Sequence, residues 1–135
     1  MEDVFYLMKA TVRTSVLKSF LIGAGYVVET VPAREESWLT VHIHQARFEW
    51  DFVADVIHDL SLEPEAIEAC SRISLQGGWI ISYHPSDLPE LRALLVLVLR
   101  QFGGWVGCDD LWTVLYTAET IDQMRCADAD RSEMR

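Results

Sequence analysis

The chain has 135 residues, the size of one ordinary domain, and half of them are hydrophobic, which is enough for a proper core. Its formal net charge is −10. This charge argues against binding to nucleic acid or to an anionic membrane, because Lys and Arg on phosphates supply the affinity for both. It is compatible with simple solubility, with attraction to a basic protein, or with mimicry of nucleic-acid charge.

The first 46 residues are predicted to alternate strands with one helix. A strand at 4–8 precedes a helix whose apolar residues recur with the 3.6-residue period and which ends at Gly23 and Gly25. Residues 26–31 are rich in β-branched side chains and predict a second strand. Residues 38–46 alternate apolar and polar side chains, which predicts a half-buried strand.

The second half is predicted to contain the longest helix. That helix runs from Asp87 to Phe102, with Asp87 and Glu90 at the spacing of a capping box, and the pair Gly103-Gly104 ends it. The paired glycines Gly77-Gly78 predict a turn before a strand. The other elements predicted here are helices at 49–60, from Pro64 onward and at 117–124, and strands at 79–83, 105–108 and 112–116.

These elements predict an α+β fold. Several strand pairs have short connections, which favours a mostly antiparallel sheet of about four or five strands packed with three or four helices. We expect a single domain over residues 1–125 and a polar, frayed tail at 126–135.

We expect a cytoplasmic protein. No basic segment precedes an apolar stretch at the N-terminus, so no signal peptide is predicted. The most apolar run, residues 93–99, is far shorter than the roughly 20 residues that cross a bilayer. The cysteines, Cys70, Cys108 and Cys126, are widely spaced and form no CxxC motif, so reduced thiols are expected rather than a zinc site or disulfides.

An acidic segment lies between Phe48 and Ser71 and contains no basic residue. On the predicted helix, Asp51, Asp55 and Asp59 lie one above another, although like charges at this spacing cost about 0.2–0.5 kcal/mol per pair. The segment is therefore interpreted as a surface for a basic partner, with a solvated helix face as the alternative. An exposed Trp between acids would be an interface anchor. The predicted partner-binding residues are Glu49, Trp50, Asp51, Asp55, Asp59 and Glu63.

His42 and His44 are the best candidates for metal ligands, because alternate residues of a strand point to the same side. They are two ligands only, and Asp109 and Asp110 would have to lie nearby to complete a site. No further ligand stands at a recognisable spacing, and no nucleophile motif is present. We therefore predict no metal, no cofactor and no catalytic residue.

Ser86–Arg92 leads into the leucine-rich helix, and Phe102–Gly107 contains an aromatic-Gly-Gly turn and a predicted short strand. These two segments resemble the C-terminal half of small bacterial immunity proteins, which neutralise toxins of polymorphic and Type VI secretion systems. The resemblance covers residues 77–117. It implies a compact, acidic, cytoplasmic α+β inhibitor made beside its toxin, and it assigns no binding residue.

The charge pattern and the resemblance predict the same function. We expect a non-catalytic immunity protein whose carboxylates bind Lys or Arg of a cognate toxin or effector protein and occlude its active site. A nuclease is a natural target, since its cleft must be basic to hold phosphates. The alternatives are a phage-encoded inhibitor of a host nuclease, and a small metal-dependent enzyme using His42, His44, Asp109 and Asp110.

Overall fold

One open antiparallel sheet of six strands organises the computed structural model, which describes residues 2–9, 12–55, 63–72, 75, 77–108 and 115–124. The strand order is β2-β3-β4-β5-β1-β6, and each neighbouring pair is antiparallel. The α+β class is thereby confirmed, with more strands than predicted. The strands are β1 (Glu2–Met8), β2 (Val27–Glu29), β3 (Trp38–Ile43), β4 (Ala46–Val53), β5 (Gly77–Tyr83) and β6 (Trp105–Cys108).

Three α-helices accompany the sheet in the described part of the chain: α1 (Thr14–Gly23), α2 (Pro64–Arg72) and α3 (Leu88–Phe102). Helix α1 ends as predicted, because Gly25 adopts a φ of 100° and Tyr26 N–H donates to the Leu21 carbonyl at 3.0 Å. None of the described helices is long and apolar enough to cross a bilayer.

The main core lies between one face of the sheet and the helices α1 and α3. Alternate residues of β1, β3, β4 and β5 point into it, among them Tyr6, Phe48 and Trp50. The two helices meet near their C-terminal ends, where the rings of Phe20 and Phe102 pack edge to face at 5.3 Å. This face of the sheet is therefore closed to a partner.

A second, smaller core lies on the opposite face, beneath α2. Cys70 of α2 and the following Leu75 pack there with Phe5, Leu7 and Val53. Helix α2 starts at Pro64 as predicted, and its Ile67 side chain is exposed. In the part of the chain that the structure describes, this cluster includes no residue of β2 or β3.

The segment predicted as a helix at 49–60 is instead a strand as far as Val53. Residues 46–53 form β4, which pairs with β3 on one side and β5 on the other. Asp51 and Asp55 therefore do not stack at helical spacing, and Asp59 lies outside the described residues. The two sheet partners supply backbone hydrogen bonds and a period of two, which together override the helical stripe of apolar residues.

Helix α3 is the longest helix in the described part of the chain, as predicted, and it packs on one face of the sheet. Asp87 stands at its N-cap without a side-chain hydrogen bond, so the predicted capping box is not formed. The end of the chain also differs, because the predicted helix at 117–124 is a turn followed by a 3₁₀ turn at Ile121–Gln123. The structure describes residues 115 and 116 of the predicted strand at 112–116, and Tyr116 forms an isolated bridge to Val106.

Two predicted turn glycines lie inside the sheet. Gly77 and Gly78 begin β5 and pair with Met8 and Leu7 of β1. A Cβ atom on Gly78 would lie 2.0 Å from the Tyr6 carbonyl oxygen, so the close approach of the two strands requires glycine there. The missing side chain of Gly78 therefore allows β5 to pair closely with β1.

Replacing Leu95 of α3 by Ala should lower the free energy of unfolding by about 2–5 kcal/mol, because Leu95 is fully buried and its removal leaves a cavity. Leu97, two residues away on the same helix, is 39% exposed and provides the matched control. Leu97→Ala should cost less than about 1 kcal/mol. Urea denaturation of both variants checks the difference, and equal losses would contradict the observed orientation of α3.

Candidate partner-binding surface

A polar row crosses the second face of the sheet at one register position. Glu29 of β2 pairs with Thr40 of β3, which pairs with Glu49 of β4, then Ser82 of β5, then Asp3 of β1. Three carboxylates thus alternate with two hydroxyl groups over five neighbouring strands. Strands lie about 4.8 Å apart, so successive carboxylates of the row stand roughly 10 Å apart.

Local contacts hold each carboxylate of the row in place. Asp3 accepts a hydrogen bond from the Ser82 hydroxyl at 2.7 Å. Arg47 Nη2 lies 3.0 Å from Glu49, two residues along the same strand. His42 Nε2 lies 3.4 Å from a carboxylate oxygen of Glu29. Each carboxylate of the row therefore has a polar or basic neighbour.

An aromatic ring and a carboxylate form the next register position of the same face. Trp38 of β3 pairs with Asp51 of β4. Arg34, on the 3₁₀ turn before β3, places its guanidinium carbon 4.4 Å from the centroid of the Trp38 ring. The same guanidinium lies 3.7 Å from an Asp51 oxygen. The ring and the carboxylate together hold a cation.

Further carboxylates surround α2 on the same side of the sheet. Glu63, Glu65 and Glu68 are all exposed. Together with the strand carboxylates they define the acidic face, which comprises Asp3, Glu29, Glu49, Asp51, Glu63, Glu65 and Glu68. Among the described residues of this side, the basic groups are the guanidinium groups of Arg34, Arg47 and Arg72 and the ammonium of Lys9, which lies over the Trp105 ring. The seven carboxylates therefore outnumber these four basic groups.

The structure places the predicted partner-binding residues in different environments. Glu49, Asp51 and Glu63 belong to the acidic face, and Asp55 is exposed just after β4. The prediction that Trp50 is an exposed interface anchor is wrong, because its side chain is 0% exposed and lies in the main core. Its neighbours in β4 point to the acidic face, and the alternation of a strand sends Trp50 to the other side.

The predicted histidine pair does not share a strand face. His42 lies in β3, whereas His44 lies in the tight turn to β4 with a φ of 54°. No group of three or more His, Cys, Asp or Glu side chains among the described residues is arranged to hold a metal ion. Asp109 and Asp110, the other predicted members of that site, lie outside the described residues.

Burial changes the pKa of two side chains, Cys70 and Tyr6. Burial raises the pKa of the Cys70 thiol, which disfavours the reactive thiolate. Burial also raises the pKa of Tyr6, whose hydroxyl donates to the Gly103 carbonyl at 2.6 Å. Cys70 and Cys108 are both free thiols. Tyr6 and Cys108 lie in the main core, and Cys70 is buried in the smaller core beneath α2.

A cleft of about 500 Å³ opens at the start of α1. Arg13 and Ser15 line it from the helix, and Glu35, Glu36 and Phe52 line its other side. The Thr14 hydroxyl donates to the Glu36 carbonyl at 2.5 Å and so ties the two sides together. Charges of both signs line this cleft, so it does not select one ligand charge.

Sequence reasoning missed Asp3, Glu29, Arg34 and Trp38 as members of the surface. A signal was present for Trp38, because it heads an alternating strand and follows Arg34 by four residues. Asp3 and Glu29 reach the row only through the order of strands in the sheet. No family model, no curated protein and no solved structure matches the chain.

Proposed function

We propose that this protein binds a basic partner protein through its acidic face and thereby neutralises a toxin, as an immunity protein does. The observation that carries the proposal is the separation of charge between the two sides of the sheet. Carboxylates dominate the acidic face. On the other side, Lys18, Glu90, Arg92 and Arg100 of α1 and α3 and the acids Glu119 and Asp122 beside Ile121 mix both signs of charge.

The form of the acidic face supports binding to a protein surface. Its strand carboxylates stand on β1, β2 and β4 of one hydrogen-bonded sheet, so their spacing is fixed before a partner arrives. Preorganised groups lose little conformational entropy on binding. Complementary charge also steers the encounter and raises the association rate.

Occlusion is the mechanism that fits such a face. An enzyme that cleaves nucleic acid needs a basic cleft, and Lys or Arg in that cleft would pair with Glu49, Asp51 and their neighbours. The face would then cover the cleft and exclude the phosphate substrate. The resemblance of residues 77–117 to immunity proteins agrees with this mechanism.

A growth assay tests the proposal. The protein encoded beside this gene is produced in bacteria with and without the present chain, and the purified pair is examined by size-exclusion chromatography. We expect the neighbouring protein to stop growth, the present chain to restore it, and the two to co-elute. A neighbour that remains toxic and forms no complex would contradict the immunity function, while inhibition of a host nuclease would favour a phage-type inhibitor.

A further inference from the structure

On the acidic face, the guanidinium group of Arg34 occupies a site that is suited to a cation. The Trp38 ring forms one wall of this site and the Asp51 carboxylate another, and the Arg34 guanidinium lies against both. An aromatic face beside a carboxylate is an arrangement that selects planar cations, since the ring quadrupole and the anion attract the same group.

We propose that Trp38 and Asp51 form the arginine-binding site of the interface, and that a partner's Arg side chain displaces Arg34 when the complex forms. The inference rests on the proposed function and names the chemistry of the partner. Arg34 thus acts as an internal occupant that keeps the site closed in the free protein.

The geometry of Arg34 makes it displaceable. Its guanidinium stands 3.7 Å from the nearest Asp51 oxygen, which is beyond the length of a hydrogen bond. The side chains of Arg34 and Asp51 are 50% and 41% exposed, so water screens their attraction. Arg34 also comes from a 3₁₀ turn outside the sheet, and it can leave without disturbing a strand.

The walls of the site, in contrast, belong to the sheet. Trp38 and Asp51 are register partners on β3 and β4, and Phe52 N–H donates to the Ser37 carbonyl at 2.9 Å, which extends the pairing past Trp38. The ring and the carboxylate therefore keep their positions when Arg34 moves. A planar guanidinium suits this site better than a Lys ammonium, because it stacks on the ring and pairs with the carboxylate together.

Binding of hexa-arginine and hexa-lysine peptides tests the site directly. The proteins compared are the wild type, Arg34→Gln, and Arg72→Gln as the matched control. Arg72 is also exposed, lies on the same side and pairs loosely with Glu68 at 3.9 Å, so its loss changes the net charge equally. The indole N–H signal of Trp38, assigned with a Trp38→Phe variant, reports binding at the site in ¹⁵N–¹H spectra.

We expect Arg34→Gln to bind hexa-arginine about three- to fivefold more tightly than the wild type, since a weak exposed pair no longer has to be broken. Arg72→Gln should change the affinity less than about twofold, and the Trp38 signal should move with hexa-arginine more than with hexa-lysine. Equal effects of the two Arg variants, or an unmoved Trp38 signal, would overturn the inference.

The outcome also separates this inference from the proposed function. If all three proteins bind both peptides alike and salt weakens that binding, the arginine site fails while the acidic face remains a binding surface. If no protein binds either peptide and the neighbouring protein is not bound, the inference and the proposed function both fail.

Discussion

Replacing Trp50 by Ala should lower the free energy of unfolding by about 3–5 kcal/mol, which is among the largest losses expected for a single core substitution. Trp50 is 0% exposed. Its ring meets those of Tyr6 and Trp79 edge to face, at centroid distances of 6.3 and 6.1 Å. The substitution removes two aromatic contacts and leaves a cavity at the centre of the main core.

Trp38→Ala is the matched control, since Trp38 lies on the neighbouring strand but faces the partly open side. We expect a loss of about 1 kcal/mol, mainly from its contact with Arg34. Guanidinium denaturation monitored by circular dichroism measures both, and Trp50→Phe serves if the Ala variant does not fold. A stable Trp50→Ala protein with impaired partner binding would instead support an exposed anchor.

Neutralising two strand carboxylates should weaken binding to the cognate partner by at least about tenfold. The variant is Glu49→Gln with Asp51→Asn, which removes charge from the centre of the acidic face without changing side-chain size. The matched control is Glu119→Gln with Asp122→Asn, two exposed acids next to Ile121, which packs in the main core. It changes the net charge equally and should alter the dissociation constant less than about twofold.

Calorimetric titration of the partner with each double variant gives the comparison, and circular dichroism confirms that each variant is folded. Equal losses for both variants would mean that only overall charge attracts the partner. An unchanged affinity for Glu49→Gln with Asp51→Asn would place the interface elsewhere on the molecule.

Elements with a strong and unambiguous period were predictable from the sequence. The apolar side chains of α3 recur at helical spacing over its whole length, and β3 alternates from Trp38 to Ile43. Gly25 ended α1 as predicted, because its positive φ satisfies the last helical carbonyls. In each case the local pattern and the tertiary environment favour the same structure.

Strand β4 was mispredicted because two patterns overlap in its sequence. Phe52 and Val53 continue into an apolar stripe at helical spacing, which predicted a helix. Residues 46–53 also alternate apolar and polar side chains, and this period of two is the one the sheet uses. Pairing with both β3 and β5 decided between the two patterns, and a single sequence contains no direct record of that pairing.

The candidate site depended on information that local patterns do not contain. Glu49, Asp51 and Glu63 of the predicted set lie on the acidic face, and their role in binding stays a prediction. Asp3 joins them because β1 lies beside β5, a neighbour distant in sequence. Glu29 joins them through the register of β2 on β3. The sequence shows which residues are acidic. Which of them lie together on one surface depends on the order of the strands in the sheet.

The salt dependence of the association rate constant measures whether the acidic face meets a basic surface. Stopped-flow mixing of the wild type with its cognate partner, at about 0.01 M and 0.15 M ionic strength, spans the range in which screening becomes strong. We predict at least a tenfold slower association at the higher ionic strength, and a smaller decrease for Glu49→Gln with Asp51→Asn. An association rate that does not change with salt, in the wild type and the variant alike, would contradict electrostatic docking through this face.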